Sequence, residues 1–169
     1  MITLTDAPDP RLEQILDDGL AAYNAEKTHR RDWRPLAVAA HDPETGELAG
    51  GLLGRTSLGL FFLDLFYLPE RLRRNGTGSA MLRMAETEAI CRGCRAATLV
   101  TVNFQAPDFY ARHGWEEFGR IASAPDVERI FMRKALSLSN WTADGTARDA
   151  AASTPSCARG RVMAEPLPA

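Results

Sequence analysis

The stretch LGLFFLDLFYLPERLRRNGTGSAMLRMAETEA, residues 58–89, predicts a strand, a glycine-bearing loop and a helix in direct succession. Residues 58–68 are almost entirely apolar and aromatic, which suits a strand covered on both faces of a sheet. After Pro69 the chain becomes basic, and from Met81 onward apolar residues recur at the three- and four-residue steps of a helix. We therefore expect this unit at the centre of the fold.

The loop between this strand and helix has the properties of an anion-binding site. Unpaired N–H groups and the positive end of the helix dipole meet there. Gly76 and Gly78 would let the backbone approach oxygen atoms closely, and Arg73 and Arg74 add positive charge. A phosphate cradle is one interpretation and a plain tight turn is the other. Two common phosphate motifs do not fit, since no Lys-Ser/Thr pair follows Gly78 and Met81 replaces the third glycine of a dinucleotide fingerprint.

Outward from this unit, the sequence pattern predicts further strands and helices on both sides. Upstream, it indicates a short strand at residues 2–5, a helix from Pro10 with one apolar stripe, and a hairpin of residues 36–40 and 48–53. Downstream, it indicates a strand at residues 97–102, a short helix at 108–113 that Gly114 ends, and closing strands at 115–121 and 129–134.

Length and composition predict one folded domain followed by a tail. With 169 residues, the chain fits a single compact core. Residues 1–138 carry the periodic patterns, so we expect the domain there. Residues 139–169 are rich in Ala, Ser, Thr, Gly and Pro without periodicity, which predicts a flexible tail. The alternative is that Trp141 folds back onto the domain.

Charge and cysteine content narrow the class of protein. The 20 Lys and Arg residues against 22 Asp and Glu residues leave no positive excess for a nucleic acid backbone. The longest apolar run, residues 58–68, is too short for a membrane helix. Three cysteines and no secretory signal predict a cytoplasmic protein, and Cys91 and Cys94 lack the second pair of ligands that a zinc site needs. We expect no nucleic acid, membrane or metal partner.

Two motifs occur in order along the chain. The first is Arg73-x-x-Gly76-x-Gly78, and the second combines Asn103, Ala106, Phe109, Tyr110, Gly114 and Trp115. In kind and spacing, they resemble the acetyl-CoA-binding motif and the second signature of the GCN5-related N-acetyltransferase (GNAT) family. The resemblance covers residues 2–136. It implies an α+β fold, in which about four helices flank a central mixed, mostly antiparallel sheet of six to seven strands.

The resemblance also implies acetyl-CoA as the acetyl donor and a set of residues that hold it. The pantetheine arm would pair with the backbone of the strand before the loop, at Leu65, Phe66 and Tyr67. The pyrophosphate would lie beside Arg73 and accept hydrogen bonds from the N–H groups of Arg74, Asn75, Gly76, Thr77, Gly78 and Ser79. Asn103 matches a position that contacts the donor. The resemblance implies no metal.

Tyr110 is the candidate general acid. It matches the family tyrosine whose hydroxyl lies near the donor sulfur. Ordinary pKa values of about 8.5 for a thiol and about 10 for a tyrosine make proton donation feasible in a site shielded from water. The alternative is a tyrosine that packs on the core with its hydroxyl at the surface. His113, one turn further along, suits a cation near the C-terminus of its helix.

No residue stands out as a general base. Some relatives have a glutamate five residues before the motif asparagine, where this chain has Thr98. Asp64 lies inside the apolar strand, and a buried acid needs a partner, so a salt bridge or a capping role is the stronger interpretation. Water could also carry the amine proton away.

The resemblance predicts an N-acetyltransferase that moves an acetyl group from acetyl-CoA directly to an amine through a ternary complex. A small-molecule acceptor is favoured over a protein, and its identity stays open. The oligomeric state is also open, although edge strands in this family often pair into homodimers. One alternative, motivated by Thr98, is a non-catalytic acyl-CoA-binding or regulatory module. Another is an unrelated phosphate-binding domain.

Overall fold

The computed structural model describes residues 2–137, which divide into two compact units, residues 2–33 and residues 34–137. The predicted tail, residues 139–169, lies outside the described residues, and so does Trp141. Within residues 2–137, no helix is both long and apolar enough to cross a membrane.

The first unit contains one helix, α1, over Pro10–Thr28. Asp9 begins it, because the Asp9 carboxylate accepts a hydrogen bond from the N–H of Arg11 at 2.9 Å. His29 ends it in the left-handed conformation, with a φ of 55°. The helix forms where the periodicity predicted it, but none of its residues is buried. The strand predicted at residues 2–5 is wrong, since that segment has no regular structure.

The second unit is built on a six-stranded sheet in the order β1-β2-β3-β4-β6-β5. The strands are β1 (Arg34–His41), β2 (Leu48–Ser57), β3 (Leu60–Tyr67), β4 (Ala96–Val102), β5 (Glu116–Ala124) and β6 (Val127–Ala135). All neighbouring strands are antiparallel except β3 and β4, which are parallel. Two helices, α2 (Thr77–Cys91) and α3 (Pro107–Arg112), and a 3-10 turn over Glu70–Leu72 complete the unit. The predicted α+β fold with a mixed, mostly antiparallel sheet is confirmed.

Helix α2 connects the two parallel strands and packs on the sheet. Parallel neighbours need such a crossover, since a tight turn cannot join them. The apolar side of α2 is buried at Met81, Leu82, Ala85 and Ala89. Strand residues of the same core cluster include Leu36, Leu52, Phe61, Leu63, Leu99, Ile130 and Met132. The crossover places the beginning of α2 just beyond the C-terminal end of β3.

The boundary between β2 and β3 differs from the prediction of one strand over residues 58–68. Leu58 and Gly59 both have positive φ values, 50° and 79°. Two central residues with positive φ are typical of the tight hairpin turn that follows the twist of antiparallel strands. The apolar run therefore supplies a turn at its start and only then the central strand.

Candidate active site

Strands β3 and β4 are paired at one end and separate at the other. Their parallel pairing runs from Leu60 and Ala96 to Leu63 and Leu99, where it stops. Beyond that point, β3 pairs only with β2 and β4 only with β6. The facing backbone edges of residues 64–67 and 100–102 thus have no strand partner among the described residues. An extended ligand can add to such an edge as a further strand would.

A β-bulge in β3 lies where the two strands separate. Leu53 and Gly54 are consecutive in β2, yet their partners in β3 are Leu65 and Leu63. Asp64 is therefore an extra residue in β3, which interrupts the regular alternation of side chains along the strand. A bulge bends the strand that carries it, and here it lies where the pairing of β3 with β4 ends.

Asp64 forms an ion pair with Arg55 of β2. The Asp64 side chain is 43% exposed, so the prediction of a buried acid is wrong. The physical reason is the face of the strand: Asp64 alternates with the buried Phe61 and Leu63 and so lies on the opposite, less buried face of β3. The salt bridge that the sequence favoured for Asp64 is present.

The first turn of α2 presents N–H groups that no described residue satisfies. Gly76 begins the helix with a φ of 87°, a conformation that favours glycine. The Asn75 side-chain oxygen accepts a hydrogen bond from the N–H of Thr77 at 3.1 Å. The next two N–H groups, of Gly78 and Ser79, donate to no described residue. This arrangement suits an anion at the positive end of the helix dipole.

A groove of about 810 Å³ joins the separated strands to this loop. One wall is formed by Phe66, Tyr67, Leu68, Arg73, Arg74, Gly76, Gly78 and Ser79. The other is formed by Thr101, Phe104, Gln105, Ala106, Phe109, Tyr110, Arg112 and His113. The groove therefore lies between the strand–loop–helix unit and the segment that carries the second motif.

The formal charge along the groove is entirely positive. Arg73, Arg74 and Arg112 line it, and no carboxylate from residues 2–137 does. None of these three guanidinium groups forms an ion pair with a described residue, whereas Arg71 in the same loop pairs with Asp42 at 2.7 Å. The Arg73 Nε does donate to the carbonyl of Leu68 at 2.7 Å, but that contact leaves its charge unneutralised. Positive charge without a carboxylate partner favours a bound anion.

Tyr110 is buried in the wall of the groove, with 8% of its surface exposed. Its ring lies edge-on to Phe109 and Trp115, with centroid distances of 5.3 and 6.0 Å. Its hydroxyl makes no hydrogen bond to any described residue. Burial raises the pKa of Tyr110 to about 12, because the tyrosinate would lose its hydration. The hydroxyl thus keeps its proton throughout the neutral range.

A buried network behind Tyr110 joins α2, β6 and the residues after α3. Glu86 is 1% exposed and accepts hydrogen bonds from Trp115 Nε1 at 2.9 Å and Lys134 Nζ at 2.7 Å. The backbone N–H of Trp115 also donates to the carbonyl of Tyr110 at 3.1 Å. The end of α3 is therefore anchored to the helix whose first turn lines the groove.

Comparison with known proteins is consistent with this geometry and decides the family. The model of the Acetyltransferase (GNAT) family matches residues 4–115, more than half of the chain. The chain belongs to the GNAT family of acetyltransferases. The family that the two sequence motifs predicted is confirmed.

Relatives of this GNAT acetyltransferase match most of its length. An acetyltransferase of Agrobacterium fabrum is 34% identical over 127 residues, which cover 75% of this chain and 92% of that protein. The blasticidin-S acetyltransferase of Streptomyces morookaense is 37% identical over 121 residues, which cover 69% and 87%. A crystal structure assigned to an acetyltransferase from Agrobacterium tumefaciens has a TM-score of 0.72 at 30% identity, over 80% of this chain and 98% of that chain.

Most of the donor-binding residues predicted for this GNAT chain line the groove. They are Phe66, Tyr67, Arg73, Arg74, Gly76, Gly78 and Ser79. Leu65, Asn75 and Thr77 do not line it. Leu65 lies on the unpaired edge of β3, and the other two form the hydrogen bond that begins α2.

Asn103 and Thr98 point their polar groups at the protein itself. The Asn103 side chain donates to the carbonyl of Asp126 at 3.0 Å and accepts from the N–H of Glu128 at 3.2 Å. It thereby holds the loop after β4 to the β5–β6 hairpin, and a contact with the donor stays a prediction. The Thr98 hydroxyl donates to the carbonyl of Met132 at 3.2 Å.

His113 is a groove residue that the sequence did not reveal. Its Nδ1 lies 2.7 Å from the carbonyl oxygen of Phe109, as a position at the end of α3 predicts. Its Nε2 lies 2.9 Å from the hydroxyl oxygen of Ser79, which is 34 residues away in the chain. No spacing within α3 signals this second contact. Across residues 2–137, no group of three or more His, Cys, Asp or Glu side chains could hold a metal ion.

Proposed function

We propose that this protein is an acetyl-CoA-dependent N-acetyltransferase that moves the acetyl group directly to the amine of a small molecule in a ternary complex. The groove carries the proposal, because an unpaired strand edge leads there to unneutralised arginines and unsatisfied N–H groups. Direct transfer is supported by the composition of the groove, since no cysteine of residues 2–137 lines it that could accept the acyl group first.

The groove suits both halves of the donor. The amide groups of a pantetheine arm can pair with the unpaired edge of β3 at residues 65–67. A pyrophosphate carries negative charge and only accepts hydrogen bonds. The N–H groups of Gly78 and Ser79 and the side chains of Arg73 and Arg74 offer the donors and the positive charge that it needs.

Acetyl-CoA supplies the acetyl group as a thioester, whose C–S bond breaks as a bond from the amine nitrogen to the acetyl carbon forms. Tyr110 has the protonated hydroxyl that a departing thiolate requires, and no group of residues 2–137 competes for it. Its pKa of about 12 exceeds the value near 8.5 of a solvated thiol, so Tyr110 acts best on a thiolate that is also shielded from water. The amine loses its proton to water, since no carboxylate of the described residues lines the groove.

A small molecule is the acceptor class that the relatives favour. The Streptomyces morookaense relative, 37% identical, is named for the acetylation of blasticidin S, which is a small molecule. The alternative is a non-catalytic acyl-CoA-binding or regulatory module, motivated by the absence of a base at Thr98. Both functions require the same acetyl-CoA site, but only the N-acetyltransferase would release CoA repeatedly in the presence of an amine.

Calorimetric titration with acetyl-CoA tests the donor site. The parent protein should bind, and Arg74→Glu should lose binding because it places negative charge beside the pyrophosphate. Arg133→Glu makes the same charge change on β6, outside the groove, and should retain affinity. A parent protein that does not bind acetyl-CoA would exclude the proposal.

Release of the CoA thiol in the presence of amines tests turnover. The panel comprises blasticidin S, an aminoglycoside, a polyamine, a free amino acid and a lysine-containing peptide. At least one small amine should support repeated turnover, and Tyr110→Phe should lower kcat about 100-fold or more while acetyl-CoA affinity is retained. Binding of acetyl-CoA without turnover for any acceptor would favour the non-catalytic alternative.

A further inference from the structure

His113 and Ser79 form a hydrogen-bonded pair inside the groove that the proposed transfer does not use. His113 Nε2 lies 2.9 Å from Ser79 Oγ, and His113 Nδ1 lies 2.7 Å from the backbone carbonyl oxygen of Phe109. The imidazole also packs against the Phe109 ring, with the centroids 4.5 Å apart. Both side chains are half-buried and line the groove, so the ring is held in place from two sides.

The contacts determine which nitrogen of His113 carries the proton. A carbonyl oxygen can only accept, so Nδ1 must be the N–H donor to Phe109. In the neutral ring, Nε2 then has a lone pair and no proton, and the Ser79 hydroxyl donates to it. When the ring is neutral, the single hydroxyl proton of Ser79 therefore points at His113. The lone pairs of the Ser79 oxygen then face away from the histidine.

That state of Ser79 is unsuited to a phosphate. Phosphate oxygens accept hydrogen bonds, and a hydroxyl that presents lone pairs to them would repel them. Ser79 is nevertheless the third residue of α2, where the unsatisfied N–H groups and the helix dipole favour an anion. A proton on Nε2 resolves the conflict, because Nε2–H donates to Ser79 Oγ and the hydroxyl proton is released toward the anion.

Several charged or titratable groups surround the His113 ring, and among residues 2–137 His113 is the one histidine that lines the groove. From the loop before α2, Arg73 and Arg74 face the same space, and from α3 so do Arg112 and Tyr110. From β6, Lys134 lies next to Gly114 and is already paired with Glu86 of α2. Guanidinium groups do not titrate in the neutral range, and burial raises the pKa of Tyr110 to about 12. Among the side-chain types that line the groove, only an imidazole can gain a proton in the neutral range, and His113 supplies it.

We infer that His113 is a positioning residue for the phosphate of the donor: when the pyrophosphate binds, His113 takes up a proton from solvent at Nε2, and Ser79 turns its hydroxyl to donate to the phosphate. This inference rests on the proposed acetyl-CoA site. It assigns a function to a pair that joins the phosphate end of the groove to the helix of Tyr110.

Calorimetry with 3′-dephospho-CoA tests it, because the pyrophosphate of this probe is fully ionised in the neutral range and takes up no proton itself. Titrations at pH 7 in two buffers of different ionisation enthalpy measure protons bound per site. The parent protein should take up a measurable fraction of a proton, and its Kd should be about tenfold lower at pH 6 than at pH 8. His113→Gln should take up none and have equal affinity at both pH values within about twofold.

His41→Gln is a matched control. His41 also lies with Nδ1 near a backbone carbonyl, at 3.0 Å from Gly46, but it is outside the groove, so proton uptake should equal that of the parent. Should His113→Gln fail to fold, the ring C–H resonances of the three histidines in the parent protein give the same information. His113 alone should shift toward its protonated position when the probe binds at pH 7.

Three results would overturn the inference. Binding without proton uptake by the parent would contradict it and leave the donor site intact. Equal uptake by the parent and His113→Gln would assign the proton to another group. Failure of the probe to bind the parent would contradict the proposed function as well as this inference.

Discussion

Glu86 Oε1 accepts a hydrogen bond from the indole Nε1 of Trp115 at 2.9 Å, across the 29 residues that separate them in the chain. Glu86 lies in the middle of α2, and Trp115 follows α3. Because the Trp115 ring also contacts Tyr110, this hydrogen bond holds the candidate acid in register with the helix that begins at the phosphate end of the groove. Lys134 Nζ, 2.7 Å from Glu86 Oε2, neutralises the buried carboxylate.

Lys134→Met should lower the free energy of unfolding by about 3 kcal/mol, because it leaves the Glu86 carboxylate buried without its cation. The double variant Glu86→Gln/Lys134→Met should recover at least half of that loss, since an amide needs no counter-charge. Urea unfolding followed by circular dichroism measures both. Arg133, the residue before Lys134, forms an exposed ion pair with Glu116. Arg133→Met breaks this pair and should lower the free energy of unfolding by less than about 1 kcal/mol. Equal losses for Lys134→Met and Arg133→Met would contradict the role of Glu86.

The raised pKa of Tyr110 predicts a loss of stability at alkaline pH. An unfolded tyrosine ionises near pH 10, whereas the folded one holds its proton to about pH 12, so the unfolded state binds fewer protons in that window. The free energy of unfolding should therefore fall as pH rises from 10 to 12, by up to about 2–3 kcal/mol. Tyr110→Phe should lack this fall, because phenylalanine does not ionise. Urea unfolding of the parent and of Tyr110→Phe between pH 8 and 12 measures the difference in their free energies of unfolding. A difference that does not change with pH would contradict the prediction.

Gly76→Ala should weaken acetyl-CoA binding at least about tenfold, while Gly46→Ala should not. Both glycines have positive φ, 87° and 73°, and an added Cβ meets no protein atom within 4 Å at either position. Each substitution should therefore cost a similar 1–2 kcal/mol or so of stability from backbone strain. Only Gly76 lines the groove, so only its Cβ enters the space proposed for the pyrophosphate. Unfolding curves and calorimetric titration on both variants separate strain from binding.

Asp64→Asn should leave kcat within about threefold of the parent, because the Asp64 carboxylate is paired with Arg55 and does not line the groove. Both partners are about 40% exposed, so the loss of stability should stay below about 1 kcal/mol. Steady-state kinetics with the best acceptor measures the first value and urea unfolding the second. A hundredfold fall in kcat with unchanged folding would instead identify Asp64 as the general base.

The sequence alone determined the elements whose signals are local. A continuous apolar run, a basic loop with two glycines and a three- and four-residue apolar repeat identify β3, the loop and α2, because each reports the conformation of neighbouring residues. Residues 36–40 and 48–53 likewise predicted the β1–β2 hairpin. The order of two motifs identified the family. The strand predicted at residues 2–5 was wrong, since four residues in an extended pattern carry no information on whether a partner strand is present.

Tertiary structure decided which of these residues share the site. The separation of β3 from β4 after Leu63 depends on pairing between strands that α2 connects, and no local pattern records it. The bulge at Asp64 is likewise a property of register with β2. Which face of β3 the core covers also depends on packing, and Asp64 lies on the other face, so an acid predicted to be buried is half-exposed. His113 meets Ser79 across 34 residues, and Lys134 meets Glu86 across 48. Such contacts form only when the sheet brings distant segments together, so the charges and protons of the groove follow from the fold.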